Sequence, residues 1–197
     1  MRLWQVFGPN LTKMFHVKHH GKIWAENTKR KEPPAMQQGP WGIDPAADHA
    51  NVIASPPVIL AGVLVLGFIL DWLWPAPFLP EGWGFLVGFI IIFVAVNIMT
   101  FAARELVKIK TSLNVRKPTT DIATEWPFSV SRNPIYAGIV LLNFGVACFF
   151  NSLWILLLSA GLAAVLQKGA IEPEEAYLEQ KFGEKYLRYK AKVRRWI

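Results

Sequence analysis

Four apolar stretches, each close to the length of a bilayer-crossing helix, dominate the chain from residue 56 onward. They run over about 56–74, 83–103, 134–150 and 153–171. The first two hold nineteen and twenty-one residues, enough for a hydrocarbon core of roughly 30 Å. Only Asn151-Ser152 separates the third from the fourth, which demands a tight helical hairpin. Pro56-Pro57 opens the first stretch, where proline is tolerated because the first helical N–H groups lack partners anyway. Trp72, Trp74, Trp83 and Trp154 fall near span ends, as rings seated at the lipid–water boundary do. The expected architecture is an all-α integral membrane protein: four transmembrane helices, the last two a C-terminal helical hairpin, followed by a cytoplasmic interfacial helix over about 174–192.

The placement of charge orients these spans. Of 21 Lys and Arg residues, seven lie in residues 1–50, six between Arg104 and Arg132, and eight from Lys168 onward. The connections 75–82 and 151–152 hold none. The positive-inside rule then puts both termini and the middle loop on the cytoplasmic side, which requires an even number of spans. The net charge of +7 reads as attraction to an anionic leaflet. No stripe interleaving Arg with exposed aromatics stands clear of the spans, so no nucleic-acid partner is expected. Inside the spans, the polar residues Asn97 and Asn143 read as interhelical hydrogen bonds. The single cysteine, Cys148, lies in an apolar run, reads as a small core residue and rules out a disulfide framework.

Residues 1–50 are different material. Lys29-Arg30-Lys31, Pro33-Pro34, Gly39-Pro40 and Asp44-Pro45 interrupt any apolar period, so a flexible cytoplasmic N-terminal arm is expected ahead of a membrane domain over 51–197. Its basic residues are not followed by the apolar segment and small-residue cleavage site of a signal peptide. His16, His19 and His20 have no Cys or acidic partner at ligand spacing, so no metal site is expected there.

Two motifs meet at the cytoplasmic interface. Ser131-Arg132-Asn133-Pro134-Ile135-Tyr136-Ala137-Gly138 reads as a helix start, with Asn133 as N-cap and Pro134 at the first helical position. A helix start offers free N–H groups to an anion, and Arg132 adds a forked cationic donor. Glu172-Pro173-Glu174-Glu175-Ala176-Tyr177-Leu178 reads as the end of the fourth span, with Pro173 opening a new helix. Acidic residues in a first turn suit the helix dipole. Leu178, Phe182, Tyr186, Tyr189 and Val193 recur at steps of three or four, an apolar stripe suited to a membrane surface. Two adjacent carboxylates at a span mouth call for a cationic partner, and a positively charged ligand is a candidate.

These motifs, with Phe182-Gly183 and Arg194-Arg195-Trp196-Ile197, resemble the isoprenylcysteine carboxyl methyltransferase and phospholipid methyltransferase group, in particular its small bacterial members. The resemblance covers roughly residues 50–197. It implies an S-adenosylmethionine site facing the cytoplasm, a lipophilic small-molecule or lipid substrate entering from the bilayer, and residence in a bacterial cytoplasmic membrane. The implied cofactor-binding residues are Arg132, Asn133, Pro134, Tyr136, Gly138, Glu174, Glu175, Leu178, Tyr186 and Tyr189, with Arg132 also catalytic as the orienting cation. Asn133 stands where the family has a histidine, which removes a group that could titrate.

Carboxylates suit the cationic part of that cofactor or its ribose hydroxyls, and the helix start with Arg132 suits its carboxylate. The tyrosine rings suit adenine or the sulfonium through cation–π contact. Carboxyl O-methylation is preferred slightly over phospholipid or amine N-methylation, since an amine must lose a proton and no histidine lies near either motif. Two other readings compete: a non-catalytic protein docking a partner or anionic lipid through its C-terminal helix, and a membrane reductase, for which the chain has few arginines near the hairpin.

Overall fold

Proline, glycine and asparagine set the ends of the apolar helices in the computed structural model, which describes residues 54–111 and 119–197. The expected arm over 1–50 and its histidine cluster lie outside the described residues. Helix α1 (Pro56–Leu73) starts with proline in its first turn, behind Ser55. Helix α2 (Trp83–Lys108) follows Gly82, whose φ of 83° is accessible to glycine at little cost. Helices α3 (Pro134–Phe149) and α4 (Leu153–Leu166) form the hairpin, turned by Asn151 at φ 52° and capped by Ser152, whose hydroxyl accepts from Ile155 N. A π-helical turn, Gln167–Ile171, leads from α4 into α5 (Glu172–Phe182), and α6 (Glu184–Lys192) completes the described elements.

Among the described residues, three continuous helical segments are long and apolar enough to cross a membrane: Pro56–Leu73, Trp83–Lys108 and Leu153–Phe182. Helix α3 is equally apolar but has 16 residues. Among the described residues there are no strands, only an isolated bridge between Ser131 and Arg194.

Two expected boundaries differ. Pro173 does not end the fourth helix. Proline clashes with the carbonyl four residues back and has no N–H to offer it. Here the preceding turn is widened, with Glu172 N–H reaching back to Gln167 O, so the helix continues through Pro173. The break comes instead at Gly183, φ 50°, which divides the single expected interfacial helix into α5 and α6.

Close approach of backbones holds α2 against α3. A Cβ at Gly88 would sit 2.4 Å from Phe149 N and 2.5 Å from its Cα, neither able to move aside. Gly84 and Gly145 allow the same approach nearby, the small-residue packing that apolar helices use where lipid competes equally for their side chains. Gly88→Ala is therefore expected to cost about 1–3 kcal/mol of stability, read as a lower unfolding midpoint in detergent.

Buried polar groups tie the remaining helices. Asn143 donates across to Ser159 Oγ at 2.8 Å and Ile155 O at 3.2 Å, the expected interhelical bond. Asn97 instead donates within its own helix, to Phe93 O at 2.7 Å. Asp71, a further polar residue of the first span, has a buried Oδ1 with no hydrogen-bond partner among the described residues. At the hairpin end, Asn151 Oδ1 accepts from Phe78 N and Leu79 N, and Trp154 Nε1 donates to Trp74 O, fastening the 75–82 loop to the turn.

Candidate functional site

The opposite end of the helices carries the charged residues, and the C-terminal strap 193–197 organises them. The strap runs beside residues 131–133: Arg132 N donates to Arg194 O at 2.9 Å, and Asn133 Nδ2 donates to Arg195 O at 3.1 Å. Asn133 thus occupies the N-cap position of α3 without capping it; its side chain is used on the strap. Trp196 Nε1 donates to Gln167 Oε1 at 3.0 Å, which fixes the strap to the π-helical turn.

Between strap and helices lies an ion cluster. Glu175 takes two nearly parallel bonds from Arg195, 3.2 Å from Nε and 2.9 Å from Nη2, the bidentate geometry of a planar fork on a carboxylate. Its Oε1 also meets Arg132 Nη2 at 3.0 Å. The Arg132 and Glu175 side chains are 7% and 5% exposed, so both charges are out of water and each needs the other. Arg132 Nη1 donates further to Lys190 O, but its buried Nε has no partner among the described residues.

Glu174 is in a different position. Successive residues on a helix point about 100° apart. While Glu175 turns to the strap, Glu174 turns to α3, where Tyr136 Oη donates to it at 2.8 Å. Among the described residues Glu174 forms no ion pair. Glu175 thus finds its cations within the chain, whereas Glu174 has a phenol donor and no cationic partner among the described residues.

Both groups face one cavity of about 490 Å³, within the roughly 300–1,000 Å³ usual for small-molecule sites. Arg132, Asn133, Pro134 and Tyr136 line it from the start of α3. Glu174, Glu175 and Leu178 line it from α5, and Tyr186 and Tyr189 from α6. Gly138 does not: it packs on α2, where an added Cβ would meet Met99 Cγ at 2.4 Å. The apolar part of the wall comes from Pro56 and Pro57 of α1, Met99, Ala103 and Leu106 of α2, and Ile135 and Ile139 of α3.

Tyr186 and Tyr189 are held by burial well above the usual phenol range, and the carboxylate of Glu175 adds to the rise while Arg132 opposes it. They stay neutral near pH 7, as aromatic faces and donors rather than bases. Tyr189 Oη donates to Phe128 O at 2.7 Å, which fixes its ring. Sequence reasoning placed Arg195 among the residues that carry the resemblance but left it out of the site, where it pairs with Glu175.

An uncharacterized protein of Haemophilus influenzae is 58% identical over 33 residues, 17% of this chain and 52% of its own. The chain thus spans about half the length of that curated relative. Residues 83–185 match the phospholipid methyltransferase family, from the start of α2 to the start of α6, and include Arg132, Tyr136, Glu174 and Glu175. Tyr186, Tyr189 and the strap lie beyond the matched stretch. Since that stretch is more than half of the 197 residues, the chain belongs to the phospholipid methyltransferase family.

Proposed function

We propose that this chain is an S-adenosylmethionine-dependent methyltransferase acting on a lipophilic small molecule or lipid drawn from the bilayer, with carboxyl O-methylation slightly preferred over N-methylation. The observation that carries the reading is a complementary pair of unsatisfied groups in one cavity. Among the described residues, Arg132 presents a buried Nε with no acceptor, and Glu174 presents a carboxyl group with a phenol but no cation. A zwitterionic ligand answers both: its carboxylate at Arg132 and the start of α3, its cationic part or hydroxyls at Glu174. The tyrosine rings add faces for an aromatic base or a sulfonium. The residues present therefore fit the cofactor that the family implies.

When bound, S-adenosylmethionine supplies a methyl group activated by its positive sulfur. The chain's part is alignment and exclusion of water, which suits a displacement in which charge is neutralised. The apolar wall from α1, α2 and α3 suits a lipophilic acceptor, and the described lining residues include no histidine to deprotonate an amine. A carboxylate acceptor needs no base, only an orienting cation, which is the role we assign to Arg132.

In this reading α3 crosses the bilayer beside the longer α2, giving four spans with both termini cytoplasmic, and residues 51–197 form the methyltransferase domain. Calorimetric titration of the purified full chain in detergent tests the cofactor. Saturable binding is expected, and absence of heat at millimolar S-adenosylmethionine would sink the proposal. Label transferred from methyl-labelled cofactor into a bacterial lipid extract then identifies the chemistry. An alkali-labile product marks an ester and an alkali-stable one an N-methyl group.

A further inference from the structure

The basic residues of α6 divide into two kinds. Lys185 is matched by Asp121 at 2.5 Å, and Lys190 is matched by Glu179. Arg188 and Lys192 form no ion pair among the described residues. They stand four residues apart on one face, the spacing at which like charges repel along a helix. Both are exposed. Facing them, Thr124 and Ser129 from the segment before α3 complete a recess of about 430 Å³, with Tyr189 and Val193 in its wall. Its polar side chains are two cations, the Thr124 and Ser129 hydroxyls and the Tyr189 phenol, which is already donated to Phe128 O; no carboxylate lines it among the described residues.

That set suits a phosphate group: a guanidinium fork and an ammonium supply charge-assisted bonds, and hydroxyls supply neutral ones. The surroundings point to where the phosphate comes from. Trp126 and Val130, on either side of Ser129 in sequence, are each 53% exposed. The Trp126 ring packs edge-on against Phe101 of α2, centroids 4.9 Å apart, near the end of an apolar span. Exposed Trp beside basic residues at a span end is the composition of a lipid headgroup boundary, and a soluble anion has no use for the apolar rim.

We infer that the recess between α6 and residues 124–129 binds the phosphate headgroup of an anionic membrane lipid through Arg188 and Lys192. The inference is independent of the methyl-transfer reading. The two sites do share Tyr189, which lines the recess on one side and the large cavity on the other.

The test is retention of phosphatidylglycerol by the purified, delipidated full chain, read by native mass spectrometry. Arg188→Gln with Lys192→Gln is expected to lower retention by roughly tenfold or more. A charge-matched control, Arg104→Gln with Lys185→Gln, is expected to lower it by about twofold at most. Phosphatidylcholine should not substitute, and millimolar inorganic phosphate should not displace the lipid. Equal losses in the two double variants would overturn the inference in favour of diffuse attraction, and unchanged retention would overturn it outright. Full displacement by inorganic phosphate would overturn the lipid assignment in favour of a free-anion site.

Discussion

Glu175→Gln is expected to lower the stability of the folded protein by about 3–5 kcal/mol, the usual cost of leaving a buried charge without its partner. Unfolding followed in detergent should show the midpoint falling by on the order of 10 °C. Most of the loss falls on Arg132. Its side chain is 7% exposed and can recover little water when the carboxylate goes. Arg195 is 31% exposed and can rehydrate in part, so its share is smaller. Three parts of the molecule meet at this one carboxylate: α5, the strap and the segment that opens α3. Its loss should therefore also loosen the strap, seen as faster proteolysis near residue 193. Glu125→Gln is the control. Glu125 pairs with Lys108 at 2.8 Å on the surface, where such a pair contributes at most about 1 kcal/mol. Equal midpoints for both variants and the unaltered chain would show that the buried cluster does not hold the strap.

Much of this site is readable before any coordinates. Apolar blocks and the absence of Lys and Arg from residues 75–82 and 151–152 bring the two charged motifs to one end of the helices. Pro134 and Pro56 mark helix starts because proline is at home only there. The same rule fails at Pro173, for a reason that is not local. The π-helical turn before it lets the helix pass, and a π-helical turn is stabilised by its surroundings: Gly169, Ala170 and Ile171 are buried in it. Gly183 errs the other way. The apolar stripe from Leu178 to Val193 fits one helix, yet glycine is the residue that takes φ near +50° most readily, and the chain breaks there. The inequality of Glu174 and Glu175 depends on the return of residues 193–197 to α3, a contact across some sixty positions of sequence that no local pattern encodes.

That inequality carries the second large effect. Glu174→Gln should weaken S-adenosylmethionine binding by roughly tenfold to a hundredfold, as expected for losing a hydrogen bond or ion contact to a charged group. It should leave the unfolding midpoint unchanged or raise it. The carboxyl has no cationic partner among the described residues, so replacing it with a neutral amide breaks no ion pair. The amide oxygen can still accept from Tyr136 Oη, so the contact between α3 and α5 survives. Tyr136→Phe gives a graded comparison: Glu174 keeps its carboxyl group but loses the donor that orients it, and affinity should fall by less than in Glu174→Gln. Adjacent residues on one helix should then separate cleanly, Glu175 changing stability and Glu174 changing affinity. A Glu174→Gln protein with a midpoint as low as that of Glu175→Gln and an unaltered affinity would assign both glutamates to the scaffold. The cationic part of the ligand would then have to be held by the aromatic faces of Tyr136, Tyr186 and Tyr189 alone.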